Sequence, residues 1–227
     1  MDPVQPRAVR SDRVADDLFL VLLDDGNGQM RAHSDVIGSV LAGALLVELA
    51  VGGWIEVDAE SVEPTTEARQ QDMVPGDALA HLMLDTVLGQ LEPLSPRDWI
   101  AFLADSAEQE VADRLARWNL ISVQQRRRVL GGKGVSYKPA NNNVAAWPRA
   151  RLSEHCRRGR ELGSHDLALT GLCHASGLLR NVLDGAPAGM YDRAMREVHT
   201  RLGPYPSVIA LFAAVEGAVT ADASALA

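Results

Sequence analysis

Residues 36–51 read VIGSVLAGALLVELAV, and this stretch decides the fold. Wound into a helix it is apolar around nearly its whole circumference, the pattern of a helix enclosed on all sides. Gly38, Ala42, Gly43 and Ala44 keep its flanks narrow, so neighbouring chain can approach closely. Its shortness and the carboxylate of Glu48 set it apart from an ordinary membrane-spanning helix. Gly52-Gly53 ends it, because glycine takes up the left-handed C-terminal conformation at little cost. Residues 208–219 form a shorter apolar run that carries Glu216. Neither segment is expected to cross a membrane unaided.

On the N-terminal side, residues 18–23 are a short apolar run stopped by the turn signal Asp24-Asp25-Gly26-Asn27-Gly28. A strand entering a hairpin and the end of a buried helix both fit that run. On the C-terminal side, residues 54–58 alternate and predict a short strand. Residues 76–91 place Leu79, Leu82, Met83 and Val87 at helical spacing. Ser95-Pro96-Arg97-Asp98 is a helix start, with an N-cap serine, proline in the first turn and an acidic third residue. It launches a helix over 99–103, and 108–120 continues as helix with Val111, Leu115 and Trp118 on one side. Residues 121–137 carry β-branched residues on both flanks of Gly131-Gly132-Lys133-Gly134 and predict a protruding β-hairpin. Asn141-Asn142-Asn143 is a capping cluster before helices over 147–162, closed by Gly163, and 165–183, closed near Gly185. Two more follow, over 190–202 and 207–219. With no repeat and no linker, the reading is mainly α: a flexible arm over 1–12, then one helical-bundle-like domain over 13–222. Buried central helices, surrounding amphipathic helices and the hairpin make it up.

Composition narrows the function. The 227 residues are 47% apolar, enough for one substantial core and too many for a disordered chain. Aromatics at 4% argue against stacking of single-stranded nucleic acid, and no nucleic-acid partner is expected. Cys156 and Cys173 are too few for a disulfide scaffold or an all-cysteine zinc site. The opening Met1-Asp2-Pro3-Val4 lacks the basic-then-apolar pattern of a secretory signal, so a cytoplasmic location is expected. Charge is segregated. Residues 1–125 hold 8 basic and 22 acidic side chains, a net of −14, and residues 126–227 hold 14 and 8, a net of +6. All but Lys133 and Lys138 of the basic residues are arginine, which suits bidentate contact with phosphate or carboxylate. Base composition and solvated helix faces account for the same pattern.

Catalytic motifs find little support. Gly132-Lys133 lacks the first glycine of a phosphate loop, where Arg127 stands, and the hydroxyl residue after the lysine, where Gly134 stands. Gly26-Asn27-Gly28 has no third glycine and no helix opening behind it. The histidines at 33, 81, 155, 165, 174 and 199 show no ligand spacing, and no Gly-x-Ser-x-Gly elbow occurs. His174 reads as a hydrogen-bonded core histidine. No catalytic residue, metal or cofactor is assigned. The surface candidate is Arg126-Arg127-Arg128-Val129-Leu130 with Lys133, on the predicted hairpin. Guanidiniums beside apolar residues suit an anionic membrane, each cation contributing roughly 1 kcal/mol. The same hairpin also fits against a sister subunit, its arginines meeting the acidic half.

Four stretches together resemble the Golgi phosphoprotein 3 family. They are LAGALLVELA over 41–50 with Gly53 after it, Asp98-Trp99-Ile100, Asn141-Asn142-Asn143 and His174-Ala175-Ser176, in the family's order over roughly residues 13–220. The resemblance implies a mostly helical domain with a protruding hairpin. It also implies a non-enzymatic adaptor: eukaryotic members bind phosphatidylinositol 4-phosphate and retain glycosyltransferases by their cytosolic tails, with the hairpin serving self-association and membrane contact. The alanine- and arginine-rich chain looks bacterial. The family's aromatic before the first core helix falls at His33, the arginine within that helix at Ala42, and the paired arginines of the later helix at Gln109 and Ala112. The substitutes nearby are Arg31, His33, Arg114 and Arg117, the candidate lipid-binding residues. The expected partner is an anionic phospholipid or phosphoinositide-like headgroup, met at the inner face of the cell membrane, with protein clients unnamed. The alternative is a soluble homo-oligomeric interaction module joined through the hairpin, without lipid binding.

Overall fold

The computed structural model describes residues 13–24, 28–70, 75–127 and 133–225. In chain order the elements are α1 (Val14–Leu22), α2 (Ser34–Val51), β1 (Ile55–Val57), β2 (Val62–Pro64), α3 (Thr66–Gln70), α4 (Ala78–Leu88) and α5 (Pro96–Arg117), then β3 (Ile121–Arg127), β4 (Lys133–Pro139), α6 (Asn142–Arg158), α7 (Ser164–Ala175), α8 (Leu179–Val182), α9 (Met190–Leu202) and α10 (Pro206–Ala225). The fold is mainly α, as expected, with two small antiparallel hairpins, β1–β2 and β3–β4.

The decisive stretch is α2. It packs most extensively on α5, then on α10 and α1, and is buried from Ile37 to Val47. By length and composition α2 would suffice to cross a membrane, but 72% of it is buried within the fold. Its small residues set the approach distance. A Cβ on Gly38 would stand 2.4 Å from the Ala104 carbonyl oxygen of α5, and one on Gly43 would stand 2.1 Å from a Val215 methyl of α10. The helix stops where expected, with Gly53 at φ +73°. The open choice at residues 18–23 resolves as a helix end. Every residue of α1 is buried, and Leu23 then bridges Met30 as the chain turns back.

Several boundaries move. The two helices expected over 99–103 and 108–120 are one, α5, because nothing in 104–107 breaks a helix. Ser95 caps it, its Oγ accepting from Asp98 N at 3.2 Å and donating to the Asp98 carboxylate at 2.6 Å. α6 begins at Asn142, capped by Asn141, and ends at Gly159 with φ +61° rather than at Gly163. The helix expected over 165–183 is divided into α7 and α8 after Ala175. β2 and α3 carry no signal in the short run between them that periodicity could read.

The hairpin is where it was expected. Its register runs from Ile121↔Pro139 to Arg127↔Lys133. Ile121 and Tyr137 are buried at its base, where the Tyr137 hydroxyl donates to Glu108 of α5 at 2.7 Å and its ring meets Phe19 edge-on. Residues on one face of an antiparallel pair alternate along each strand. That face continues outward with Val123 and Val135, 38% and 49% exposed. The hairpin therefore leaves the body as it lengthens. Arg128, Val129 and Leu130 lie outside the described residues; Arg126, Arg127 and Lys133 are placed in the strands by their backbone.

Candidate functional site

Asp16 and Asp17 are consecutive on α1, so their side chains diverge by about 100° and serve two different partners. Asp16 accepts from Arg114 Nε at 2.6 Å. The same guanidinium reaches both oxygens of Glu48, at 2.8 and 3.0 Å, and Asp77 at 3.0 Å. Glu48 also accepts from Ala15 N at 2.8 Å, and Asp77 caps α4 while pairing with Arg13 at 2.9 Å. One cluster thus ties α1, α2, α4 and α5 together. It holds three carboxylates against two guanidiniums. Burial pushes Asp16 up to about 7, against the pull of Arg114. Burial likewise raises Glu48, while at half-buried Asp77 burial is outweighed by Arg114 and Arg13 and its carboxyl stays low. Burial and the nearby Glu48 carboxylate together favour the protonated form of Asp16.

Asp17 turns the other way, accepting from Arg151 at 2.7 Å and meeting His165 Nε2 at 2.8 Å. Arg151 also donates to Asp166 from Nε at 2.9 Å, and His155 lies 3.3 Å from the far oxygen of Asp166. Burial would raise Asp17, but His165 and Arg151 outweigh it and hold its carboxyl below the usual range. This second cluster joins α1 to α6 and α7. Burial pushes the thiols of Cys156 and Cys173 up to about 11 and about 12, so both stay protonated at neutral pH. His174 is the hydrogen-bonded histidine expected, its Nδ1 2.5 Å from the Tyr191 hydroxyl. Among the described residues no cluster of three or more metal-ligating side chains is present.

The candidate lipid-binding residues are dispersed by the structure. Arg114 lies in the core, its side chain 1% exposed and bound to three carboxylates. No headgroup at the surface meets it, and its place among the surface candidates is corrected: an arginine near the end of an acidic helix looks solvated until α1 and α2 close over it. Arg117 is exposed, with Nε donating to the Asp113 carbonyl at 3.3 Å. His33 is exposed beside the Asp35 carboxylate at 3.5 Å. Ala42 and Ala112, standing where the family has arginines, are wholly buried in the packing of α2 on α5. The cavity next to His33 and Gln109, 420 Å³ in volume, is lined by Asp35, Asp105, Glu108 and Asp222 against Arg97 alone. A phosphate is disfavoured there by Coulomb repulsion.

Arg31 has different company. It lines a groove of 280 Å³ with Arg149 and Arg157 of α6, over a floor of Ala146 and Ala150. Sequence reading missed this trio, although residues 146, 149, 150, 153 and 157 form one stripe at helical spacing on α6.

The described residues thus define a mainly helical body with an ion-paired core, a projecting β-hairpin and an arginine-lined surface groove. The family model for Golgi phosphoprotein 3 (GPP34) matches residues 14–220, nearly the whole chain, and the protein belongs to that family. It is a family of non-enzymatic, adaptor-type proteins with lipid and protein partners.

Proposed function

We propose that the protein is a non-enzymatic peripheral membrane adaptor that binds anionic lipid headgroups, phosphatidylinositol 4-phosphate-like by family, at the inner face of the cell membrane. The observation that carries this reading is the hairpin's outward face. It begins buried at Ile121 and Tyr137 and continues apolar and exposed at Val123 and Val135. Beyond them the sequence supplies Arg126, Arg127, Arg128, Val129, Leu130 and Lys133. A strand pair that carries apolar side chains away from its own core, ending in cations, suits an acidic bilayer: guanidiniums meet phosphates while valine and leucine dip shallowly. Arg31, His33 and Arg117 add cationic or protonatable groups on the body.

The same exposed valines support a second reading, a soluble homo-oligomer joined through the hairpin without lipid binding. Co-sedimentation with acidic and neutral vesicles separates the two. On the first reading the protein sediments with acidic vesicles only, and replacing Arg126, Arg127 and Arg128 by serine abolishes sedimentation while the circular dichroism spectrum is kept. Equal binding to neutral vesicles, or full binding by the triple variant, would overturn it. A wild-type dimer in solution that ignores both vesicle types would establish the second.

A further inference from the structure

Arg31, Arg149 and Arg157 converge on the groove between α1, α6 and α8, and the way they are held is unusual for arginines on a surface. Arg149 Nη2 donates to the Asn181 carbonyl at 2.8 Å, Arg157 Nη2 to the Asp184 carbonyl at 3.5 Å, and Arg31 Nε to the Leu23 carbonyl at 3.3 Å. Carbonyl acceptors orient a guanidinium without cancelling its charge. Among the described residues the carboxylates of Asp24 and Asp184 border the groove, and neither is paired with Arg149 or Arg157. Asp24 lies 3.5 Å from Arg31, and Asp184 spends Oδ1 on the Gly185 amide. Arg149 and Arg157 thus bring two cations held by main-chain carbonyls to the groove, in a chain whose net charge is −8. Ala146 and Ala150 leave its floor open, and it adjoins a second hollow of 170 Å³ through Val21, Arg31, Arg149 and Asp184. Its volume approaches that of small-ligand pockets, about 300 Å³ and upward.

We propose that this groove is a phosphate-binding site, taking the phosphomonoester of a lipid headgroup or of a soluble inositol phosphate, at a place separate from His33, Ala42, Gln109 and Ala112. Oriented guanidiniums offer paired N–H donors that match phosphate oxygens. The lipid form of the proposal rests on the adaptor reading above and assigns it a pocket.

The test uses the full chain, vesicles of phosphatidylcholine with and without phosphatidylinositol 4-phosphate, and soluble inositol 1,4-bisphosphate by calorimetry. Arg149→Ser/Arg157→Ser is expected to weaken binding by at least about tenfold, since it removes the charged hydrogen-bond donors to the phosphate. Arg149→Lys/Arg157→Lys, which keeps the charge, is expected to recover part of it. Asp184→Asn keeps the cap on Gly185, removes a carboxylate from the rim, and is expected to tighten binding severalfold. Loss of binding by a folded serine variant, with recovery by lysine, supports the groove. Undiminished vesicle binding by the serine variant overturns the groove and leaves the adaptor reading standing. Wild-type binding to the soluble phosphate alone, lost in the serine variant, keeps the groove and overturns the lipid reading. Wild-type binding to neither probe overturns both.

Discussion

Arg114 and Asp16 show how much of this protein rests on single side chains. Removing one partner of a buried ion cluster leaves the others uncompensated, at a cost of about 3–5 kcal/mol. Arg114→Ala strands Asp16 and Glu48 in the core and is expected to lower unfolding free energy by about that amount in urea titration. Asp16 also sets a pH dependence. Its folded-state value near 7 stands above the ordinary 3.8, so the native state binds the extra proton. The stability contributed by that proton is present in full below about pH 4 and is lost as pH rises through 7. Asp16→Asn keeps an acceptor for Arg114 and does not titrate. The variant is therefore expected to gain on the wild type in urea titrations between pH 5 and pH 8. Asp17 and Asp77, held low, act in the opposite sense: their contribution is present above the ordinary carboxylate value and is lost on acidification. A variant whose stability tracks the wild type in parallel from pH 5 to 8 would show that Asp16 is ionised throughout.

Between elements, the α2–α5 contact is limited by backbone rather than by side chain. Gly38→Ala drives a methyl against the Ala104 carbonyl, which cannot turn away, and is expected to cost about 1–3 kcal/mol. Gly217 on the exposed side of α10 has open space at the Cβ position. Gly217→Ala is expected to stabilise by about 0.5–1 kcal/mol through helix propensity alone. Thermal unfolding of the two variants should move in opposite directions. The pattern of residues 36–51 made α2 legible because burial on nearly all sides leaves a run with no polar face. Ser95-Pro96 marked the start of α5 because capping is local chemistry. The division of 165–183 was not legible: Gly177, with φ +75°, parts α7 from α8, and glycine within an apolar period is as compatible with a helix as with a break.

Across the whole molecule, charge is partitioned twice, once along the chain and once between core and surface. Part of the acidic half is absorbed internally, since Asp16, Asp17, Glu48 and Asp77 are all engaged with arginines. Arg149 and Arg157 instead face a groove and meet main-chain oxygens. Attachment to acidic vesicles through such cations is expected to weaken steeply as salt shortens the Debye length from about 10 Å at 0.1 M to 3 Å at 1 M. Sedimentation that is unchanged over that range would point to apolar insertion by the hairpin as the main contact.

The order of apolar and polar residues by itself determined that the chain is mainly helical, that α2 lies at its centre and that a hairpin interrupts the helices, because periodicity and capping are short-range properties. Which arginines are spent inside and which face outward was decided only by tertiary structure. Arg114 and Arg149 are both arginines within long helices, and only the closure of α1 and α2 over one of them, with three carboxylates brought from distant parts of the chain, separates a buried tie from a surface cation.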